Sequence, residues 1–121
     1  MALVLIIDDA AFSRRMIRRF LQGDGYEILE ASNGREGLEM VHKHQPNCVL
    51  ADILMPDMNG FEFLQALQDE QLKIPTIIIS ADIQDGARNQ SYQLGAVNFI
   101  NKPPKETELR AAVQQILQTK E

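Results

Sequence analysis

Apolar residues fall into short runs along the chain, separated by longer segments in which apolar and polar residues are mixed. Three runs are almost wholly apolar, as is typical of strands buried on both faces of a parallel sheet: Leu3–Ile7, Cys48–Ala51 and Thr76–Ile79. Two more polar runs, Tyr26–Ala31 and Val97–Ile100, suit the edges of a sheet. The pattern therefore predicts five strands, of which the second and the fifth are edge strands.

The segments between these runs carry apolar residues three and four positions apart, which predicts helices with one buried face. In the first helix this stripe consists of Phe12, Met16, Ile17, Phe20 and Leu21. Four arginines are predicted on the opposite side: Arg14, Arg15, Arg18 and Arg19. The fourth helix, within 82–94, has little to bury beyond Ile83, Ala87 and Leu94, so we expect it to be weakly held.

The limits of the remaining helices are predicted from residues that typically begin or end a helix. The second helix should run from Gly34 to about Lys43, the third should follow Gly60, and the fifth carries a regular stripe from Leu109 to Leu117. Five strands alternating with five helices predict an α/β fold, a doubly wound parallel sheet with right-handed crossovers. The polar edge strands favour the order 2-1-3-4-5 of the flavodoxin-like (βα)5 fold.

Composition and charge narrow the possible functions. A chain of 121 residues without a repeat predicts one domain, 1–121. No apolar run approaches the roughly 20 residues that span a bilayer, and no signal peptide is recognisable, so we expect a cytoplasmic protein that does not bind membranes. A formal net charge of -5 argues against direct nucleic-acid binding. The single cysteine, Cys48, excludes an intrachain disulfide.

Acidic residues follow two strands that are neighbours in the predicted order. Asp8 and Asp9 end the first strand, and Asp52 ends the third. These strands meet at the topological switch point, where open α/β sheets bind ligands. We expect the three carboxylates to converge there, with Ser80 and Lys102 arriving from the fourth and fifth strands.

Such a cluster of carboxylates needs a neutralising partner. At a separation of about 5 Å, each like-charged pair costs about 3 kcal/mol at an effective dielectric near 20. A shared proton would relieve this, but an exposed cluster at a crevice favours Mg²⁺ bound together with phosphate oxygens. Because a carboxylate can attack phosphorus, the residues predict phosphoryl transfer to an aspartate of this cluster, and Lys102 and Ser80 can stabilise the transferred charge. Taken singly, each acid could instead be a turn residue or a helix cap.

Taken together and in this order, the motifs resemble those of the receiver domains of two-component response regulators, similar to the CheY group. The resemblance covers essentially the whole chain. Its motifs are Ile6–Asp9, Asp52 with Met55–Pro56 and Asn59–Gly60, Ile79–Ala81, and Gly95–Ala96 leading to Phe99–Pro103. Each motif is weak alone, but their combination is very specific.

The resemblance implies a role for each matching position. Asp52 would accept the phosphoryl group from a histidine kinase or a histidine phosphotransfer protein. The protein ligands of Mg²⁺ would be Asp8, Asp9, Asp52 and the backbone carbonyl of Leu54. The phosphoryl oxygens would contact Lys102, Ser80 and the amide of Ala81. The Lys102–Pro103 peptide bond would be cis.

Ser80 and Phe99 resemble the family's switch pair, in which the hydroxyl moves toward the phosphoryl group while the aromatic ring turns inward. Because Phe99 has no hydroxyl, it can signal by packing but not by an outward hydrogen bond. The resemblance also implies a downstream effector protein on the face formed by the fourth helix, fifth strand and fifth helix. The arginine stripe is either a solvated face or a docking surface for a phosphodonor helix.

Three other functions fit parts of the sequence. An unphosphorylated, receiver-like interaction module would keep the fold, although all the chemical positions are occupied here. An aspartyl-phosphate phosphatase usually has a second acid two residues after the nucleophile, where this chain has Leu54. Flavin binding would require a phosphate loop after the first strand, where Asp8 and Asp9 would repel phosphate. We therefore expect a signalling phosphoacceptor rather than an enzyme.

Overall fold

A five-stranded parallel sheet runs through the computed structural model, which describes residues 1–82 and 84–118, and the predicted order 2-1-3-4-5 is confirmed. The strands are β1 (Leu3–Ile7), β2 (Glu27–Ala31), β3 (Cys48–Ala51), β4 (Thr76–Ser80) and β5 (Asn98–Asn101). The α-helices of the described residues are α1 (Ala11–Leu21), α2 (Gly34–His44), α3 (Gly60–Asp69), α4 (Asp85–Gln93) and α5 (Glu106–Gln118). Ile83, a predicted contact of the fourth helix, lies outside the described residues.

Strand side chains alternate between two separate cores, one on each face of the sheet. Leu5, Val49 and Ile78 pack on the face covered by α2 and α3. Ile6 and Leu50 pack on the opposite face, which α1 and α5 cover. Because both faces are covered, the central strands need apolar residues at nearly every position.

Three predictions for individual residues are wrong. Tyr26 was expected to begin the second strand, but β2 begins at Glu27. Phe12 was expected in the buried stripe of α1 but is 74% exposed. It lies five positions before the buried Ile17, which places it about 140° away around the helix. Val97 was expected to begin β5, but it precedes that strand and its side chain is exposed.

Helix α4 has few buried side chains. Among its nine residues, all of which are described, Ser91 alone is buried, and Ala87 packs against the core only in part. This sparse packing is consistent with a helix that opens or shifts more easily than its neighbours. None of the helices in the described part of the chain has the length and apolar character needed to cross a bilayer.

The loop after β3 folds back onto the end of the strand at Gly60. The Gly60 amide donates to the Ile53 carbonyl at 2.8 Å, and a Cβ at this position would overlap the Asp52 carbonyl oxygen. Asn59 and Glu62 form a reciprocal capping box at the start of α3. The beginning of α3 is therefore fixed directly against Asp52.

Replacing Gly60 by alanine should destabilise the fold, because backbone atoms at Asp52 and Ile53 would have to move. We expect Gly60→Ala to lower the free energy of unfolding by about 1–3 kcal/mol. Gly86→Ala in α4 is the matched control, since nothing lies within 4 Å of the added Cβ, and it should raise stability by roughly 0.4–1 kcal/mol. Urea denaturation followed by circular dichroism measures both. Similar effects of the two substitutions would contradict the close approach at Gly60.

Candidate functional site

Three carboxylates meet at the carboxyl ends of β1 and β3. These strands pair with Ile7 beside Ala51, and the Asp52 amide donates to the Ile7 carbonyl at 3.0 Å. Asp8, Asp9 and Asp52 each offer a carboxylate oxygen, and these oxygens lie within 4.8 Å of one another. Asp8 (2% exposed) and Asp52 (9%) are buried, whereas Asp9 is exposed. The structure thus brings together the three acids that the sequence assigned to the switch point.

Lys102 lies between two of these acids. Its Nζ is 2.7 Å from Asp8 Oδ2 and 2.9 Å from Asp52 Oδ2. The lysine directly follows β5, and its amide donates to the Ser80 carbonyl at the end of β4 (2.8 Å). The Lys102–Pro103 peptide bond is cis, as the resemblance implied. Neighbouring strand ends therefore place the ammonium group among the carboxylates.

The remaining oxygens of the two buried acids bind backbone amides. Asp52 Oδ1 accepts from the Ile53 amide at 2.7 Å, and Asp8 Oδ1 accepts from the Ala10 amide at 2.9 Å. Burial raises the pKa of Asp52 above its ordinary value, as does the charge of Asp8, while the contacts with Lys102 oppose this rise. Burial alone would lower the pKa of Lys102, but its bonds to the two acids keep that pKa above the ordinary value. The lysine is therefore charged at neutral pH.

The other expected site residues surround this cluster. Ser80 is buried at the end of β4, and its Oγ accepts from the Asp82 amide at 3.1 Å. Ala81 follows it in an exposed turn. Leu54 lies two residues past Asp52 in the loop before α3, and its side chain is 74% exposed. All three lie at the carboxyl edge of the sheet, where open α/β folds bind ligands.

Phe99 is buried in β5. Sequence reasoning missed two residues of α4, Arg88 and Tyr92, that lie near it. The guanidinium of Arg88 lies 5.7 Å from the centre of the Phe99 ring and 5.8 Å from that of Tyr92, within range of a cation–π interaction. The Tyr92 hydroxyl also reaches Asn98 Oδ1 at 3.4 Å. The spacing of Arg88 and Tyr92, four positions apart in a helix, signals their contact, but the position of Arg88 over Phe99 requires the tertiary structure.

The arginine stripe of α1 is divided between two environments. Arg14 Nε and Arg18 Nε donate to the two carboxylate oxygens of Glu30 in β2, at 3.0 and 2.7 Å. Arg14 Nη1 also donates to the Asp8 carbonyl at 2.6 Å. Arg15 and Arg19 are exposed. Half of the stripe is therefore engaged within the domain, which the sequence did not show because Glu30 lies on a separate strand.

The fold and this cluster define a flavodoxin-like α/β domain with an acidic pocket at its topological switch point. The family model described as the response regulator receiver domain matches residues 4–114, and the chain belongs to that family. Receiver domains are signalling phosphoacceptors that bind Mg²⁺ at an acidic pocket and work with histidine kinases. The recognition made from the sequence motifs is confirmed.

The chain is similar to the receiver regions of longer regulators. It is 41% identical over 104 residues to a protein-glutamate methylesterase/protein-glutamine glutaminase of Treponema pallidum (strain Nichols), covering 83% of this chain and 26% of that protein. It is 33% identical over 109 residues to the transcriptional regulatory protein SrrA of Staphylococcus aureus (strain NCTC 8325 / PS 47), covering 88% and 45%. The chain thus spans less than half the length of these relatives.

A solved structure confirms the fold. The receiver domain of the Francisella response regulator 1452 superposes with a TM-score of 0.94 at 22% sequence identity, covering 100% of both chains. At this identity the likeness concerns the fold alone.

Replacing Asp52 by asparagine should stabilise the metal-free protein at neutral pH. The raised pKa of Asp52 means that the folded state binds the proton more tightly than the unfolded state, so the stabilisation it contributes is present at low pH and is lost as pH rises through the folded pKa. Asparagine avoids this loss, and Lys102 keeps its contact with Asp8. The stability gain of Asp52→Asn should therefore be largest at pH 7 and shrink toward pH 4.

Urea denaturation in EDTA at a series of pH values measures this difference. Asp57→Asn, at an exposed carboxylate in the following loop, is the control and should change stability little at any pH. A variant at Asp52 that is less stable than the wild type at pH 7 would show that the contact with Lys102 outweighs the burial of the charge.

Proposed function

We propose that this receiver domain is phosphorylated on Asp52 by a histidine kinase or a histidine phosphotransfer protein. The observation that carries the proposal is the position of the Asp52 carboxylate, bound to Lys102 at 2.9 Å and to the Ile53 amide at 2.7 Å, beside Asp8 and Asp9. An Asp52 oxygen would form a bond to phosphorus as the bond between phosphorus and the donor imidazole breaks. The leaving imidazole would take up a proton.

The donor set of the acid cluster fits Mg²⁺. Three carboxylates face one ammonium group, so two negative charges are in excess, and carboxylate and carbonyl oxygens are the ligands that this ion prefers. We assign Asp8, Asp9, Asp52 and the Leu54 carbonyl as its protein ligands. When bound, Mg²⁺ would neutralise charge on the transferred phosphoryl group.

Donors of the chain itself would bind the phosphoryl oxygens. Lys102 is already within hydrogen-bonding distance of the acceptor carboxylate. The Ser80 oxygen accepts a hydrogen bond from the Asp82 amide, and a hydroxyl that accepts can still donate its own proton. We assign the Ala81 amide as a third donor, since it follows Ser80 in the exposed turn. These donors would stabilise the negative charge that develops on the phosphoryl oxygens during transfer.

The site favours a signalling phosphoacceptor over a phosphatase. Hydrolysis of an aspartyl phosphate is accelerated by a second acid or base near the nucleophile. The position two residues after Asp52 is occupied instead by Leu54, whose side chain is exposed and apolar. The domain would therefore catalyse only its own phosphorylation and dephosphorylation. An unphosphorylated interaction module is the alternative.

We propose that the signal leaves through α4, β5 and α5. Ser80 would move toward the phosphoryl group, and Phe99 would change its packing. Arg88 of the sparsely packed α4 lies over the Phe99 ring, and Tyr92 of the same helix contacts Arg88 and Asn98. A shift of the Phe99 ring would therefore change its contact with the exposed guanidinium of Arg88 on the outer face of the domain.

The partners follow from this assignment. A cytoplasmic kinase or phosphotransfer protein would supply the phosphoryl group, with the exposed Arg15 and Arg19 available to contact it. An effector protein would bind the α4–β5–α5 face, and 1–121 would act as a single receiver domain. The names of the relatives indicate two kinds of output, an esterase/glutaminase and transcriptional regulation, and the chain matches both to a similar extent.

Phosphorylation should require both Asp52 and Mg²⁺. Incubation with acetyl phosphate should add one phosphoryl group to the wild type, and none to Asp52→Asn or to the wild type in EDTA. Intact-mass spectrometry measures the gain. Asp57→Asn, in the same loop region, is the matched control and should be modified like the wild type.

Two outcomes would contradict this assignment. Persistence of the same modification in Asp52→Asn would show that another residue is the acceptor. No gain in a folded protein that binds Mg²⁺, with either acetyl phosphate or a phosphorylated histidine protein as donor, would favour the unphosphorylated interaction module.

Removal of the Ser80 hydroxyl should uncouple the site from α4. With beryllium fluoride and Mg²⁺ as a stable phosphoryl mimic, the wild type should show amide chemical-shift changes at Asp52 and also across α4 and β5. Ser80→Ala should keep the changes at Asp52 and lose most of those in α4. Thr76→Val removes a buried hydroxyl from the other end of the same strand and should preserve both. Full changes in α4 in the Ser80→Ala protein would exclude this hydroxyl from the switch.

A further inference from the structure

Four polar groups of Asp8 are held by hydrogen bonds. Its amide donates to the Ala31 carbonyl at 3.1 Å, Oδ1 accepts from the Ala10 amide, and Oδ2 accepts from Lys102. Its backbone carbonyl accepts from Arg14 Nη1 at 2.6 Å. The carbonyl contact differs from the others, because it fixes the plane of the peptide that joins Asp8 to Asp9.

Arg14 is itself held in place by β2. Its side chain is 18% exposed, and Nε donates to Glu30 Oε1 at 3.0 Å. Burial alone would raise the pKa of Glu30, but its bonds to Arg18 and Arg14 outweigh this and hold that pKa below its ordinary value. The carboxylate is therefore charged at neutral pH. Arg14 consequently forms a bridge between β2 and the peptide that follows β1.

Apart from the bond between the Ala10 amide and Asp8 Oδ1, the turn from β1 to α1 has few contacts among the described residues that fix this peptide. The residue before the helix, Ala10, makes no side-chain capping bond, and the first turn of α1 contains no acidic residue. Among the described residues, Asp9 has no side-chain hydrogen bond that would hold it within the cluster by itself. Its position relative to Asp8 and Asp52 therefore depends on the backbone.

We propose that Arg14 is a positioning residue for the cation site, which it serves by fixing the Asp8–Asp9 peptide so that the carboxylate of Asp9 stays with those of Asp8 and Asp52. This inference rests on the Mg²⁺ site of the proposed function. It also divides the basic stripe of α1 by role, since Arg14 acts inward while Arg15 and Arg19 remain exposed.

Electrostatics and positioning predict opposite results when Arg14 is removed. Loss of a nearby positive charge would by itself strengthen the binding of a cation. Loss of a group that orients metal ligands weakens metal binding, typically by tenfold or more. A weaker Mg²⁺ affinity in Arg14→Met would therefore identify positioning rather than charge.

The experiment is a titration of Mg²⁺ followed by the amide chemical shifts of Asp9 and Ile53, with urea denaturation of each variant in EDTA. Arg14→Met should weaken the affinity for Mg²⁺ roughly tenfold. Arg18→Met is the matched control, because it removes the other arginine bound to Glu30 but no contact with Asp8, and its affinity should stay within about twofold of the wild type.

Each outcome separates the inference from the function on which it rests. A wild type that binds no Mg²⁺ would overturn the proposed metal site. A wild type that binds while Arg14→Met binds equally well, or more tightly, would overturn the role of Arg14 alone, as would equal weakening in Arg18→Met. If Arg14→Met does not fold, Arg14→Lys replaces it. Lysine lacks the planar, multiply donating guanidinium by which Arg14 binds Glu30 and the Asp8 carbonyl together, so wild-type affinity in that variant would also contradict the proposal.

Discussion

One ammonium group between two buried carboxylates is the contact on which the site depends. Lys102 lies 2.7 Å from Asp8 and 2.9 Å from Asp52. Without a cation, two carboxylates about 5 Å apart repel by about 3 kcal/mol at an effective dielectric near 20, and an acid left unpaired in a buried position is strongly destabilising. Because these residues follow β1, β3 and β5, the cluster forms only when the whole sheet is assembled. The chemistry of the site is therefore a property of the fold as much as of the individual side chains.

The charge balance around Lys102 also bears on the proposed phosphorylation. Three carboxylates and one lysine are not electrically neutral, so the cluster favours a divalent cation, and a cation in turn makes an added phosphoryl group tolerable. Binding of the cation or of the phosphoryl group changes the net negative charge around Lys102. Its backbone amide is bound to the Ser80 carbonyl, which links any movement at the lysine to β4. The acidic pocket is thus joined by a backbone hydrogen bond to β4, the strand that carries Ser80 of the proposed switch.

Much of this architecture could be predicted from the sequence, because its signals are local. Wholly apolar strands indicate the centre of the sheet and more polar strands its edges, which favours the order 2-1-3-4-5 found in the structure. From that order the meeting of Asp8, Asp9, Asp52 and Lys102 follows, since parallel strands end at one edge. Contacts that depend on how a helix is rotated over a strand could not be predicted in this way. The bond between Arg14 and the Asp8 carbonyl, with its anchor on Glu30, depends on the exact rotation of α1 over β2, which the helical period gives only approximately.

In the proposed switch, Phe99 would act through the contacts of its ring, because it has no hydroxyl. The Phe99 ring is buried, but the guanidinium of Arg88 lies over it and over Tyr92, at 5.7 and 5.8 Å. Tyr92 is joined in turn to Asn98 of β5. Because a cation–π contact depends on the position of the ring face, movement of Phe99 inside the core would change its contact with the guanidinium of Arg88. A helix with a single buried residue among those described resists such a change only weakly. Under the proposed function, phosphorylation of Asp52 would therefore rearrange the charged and aromatic side chains on α4.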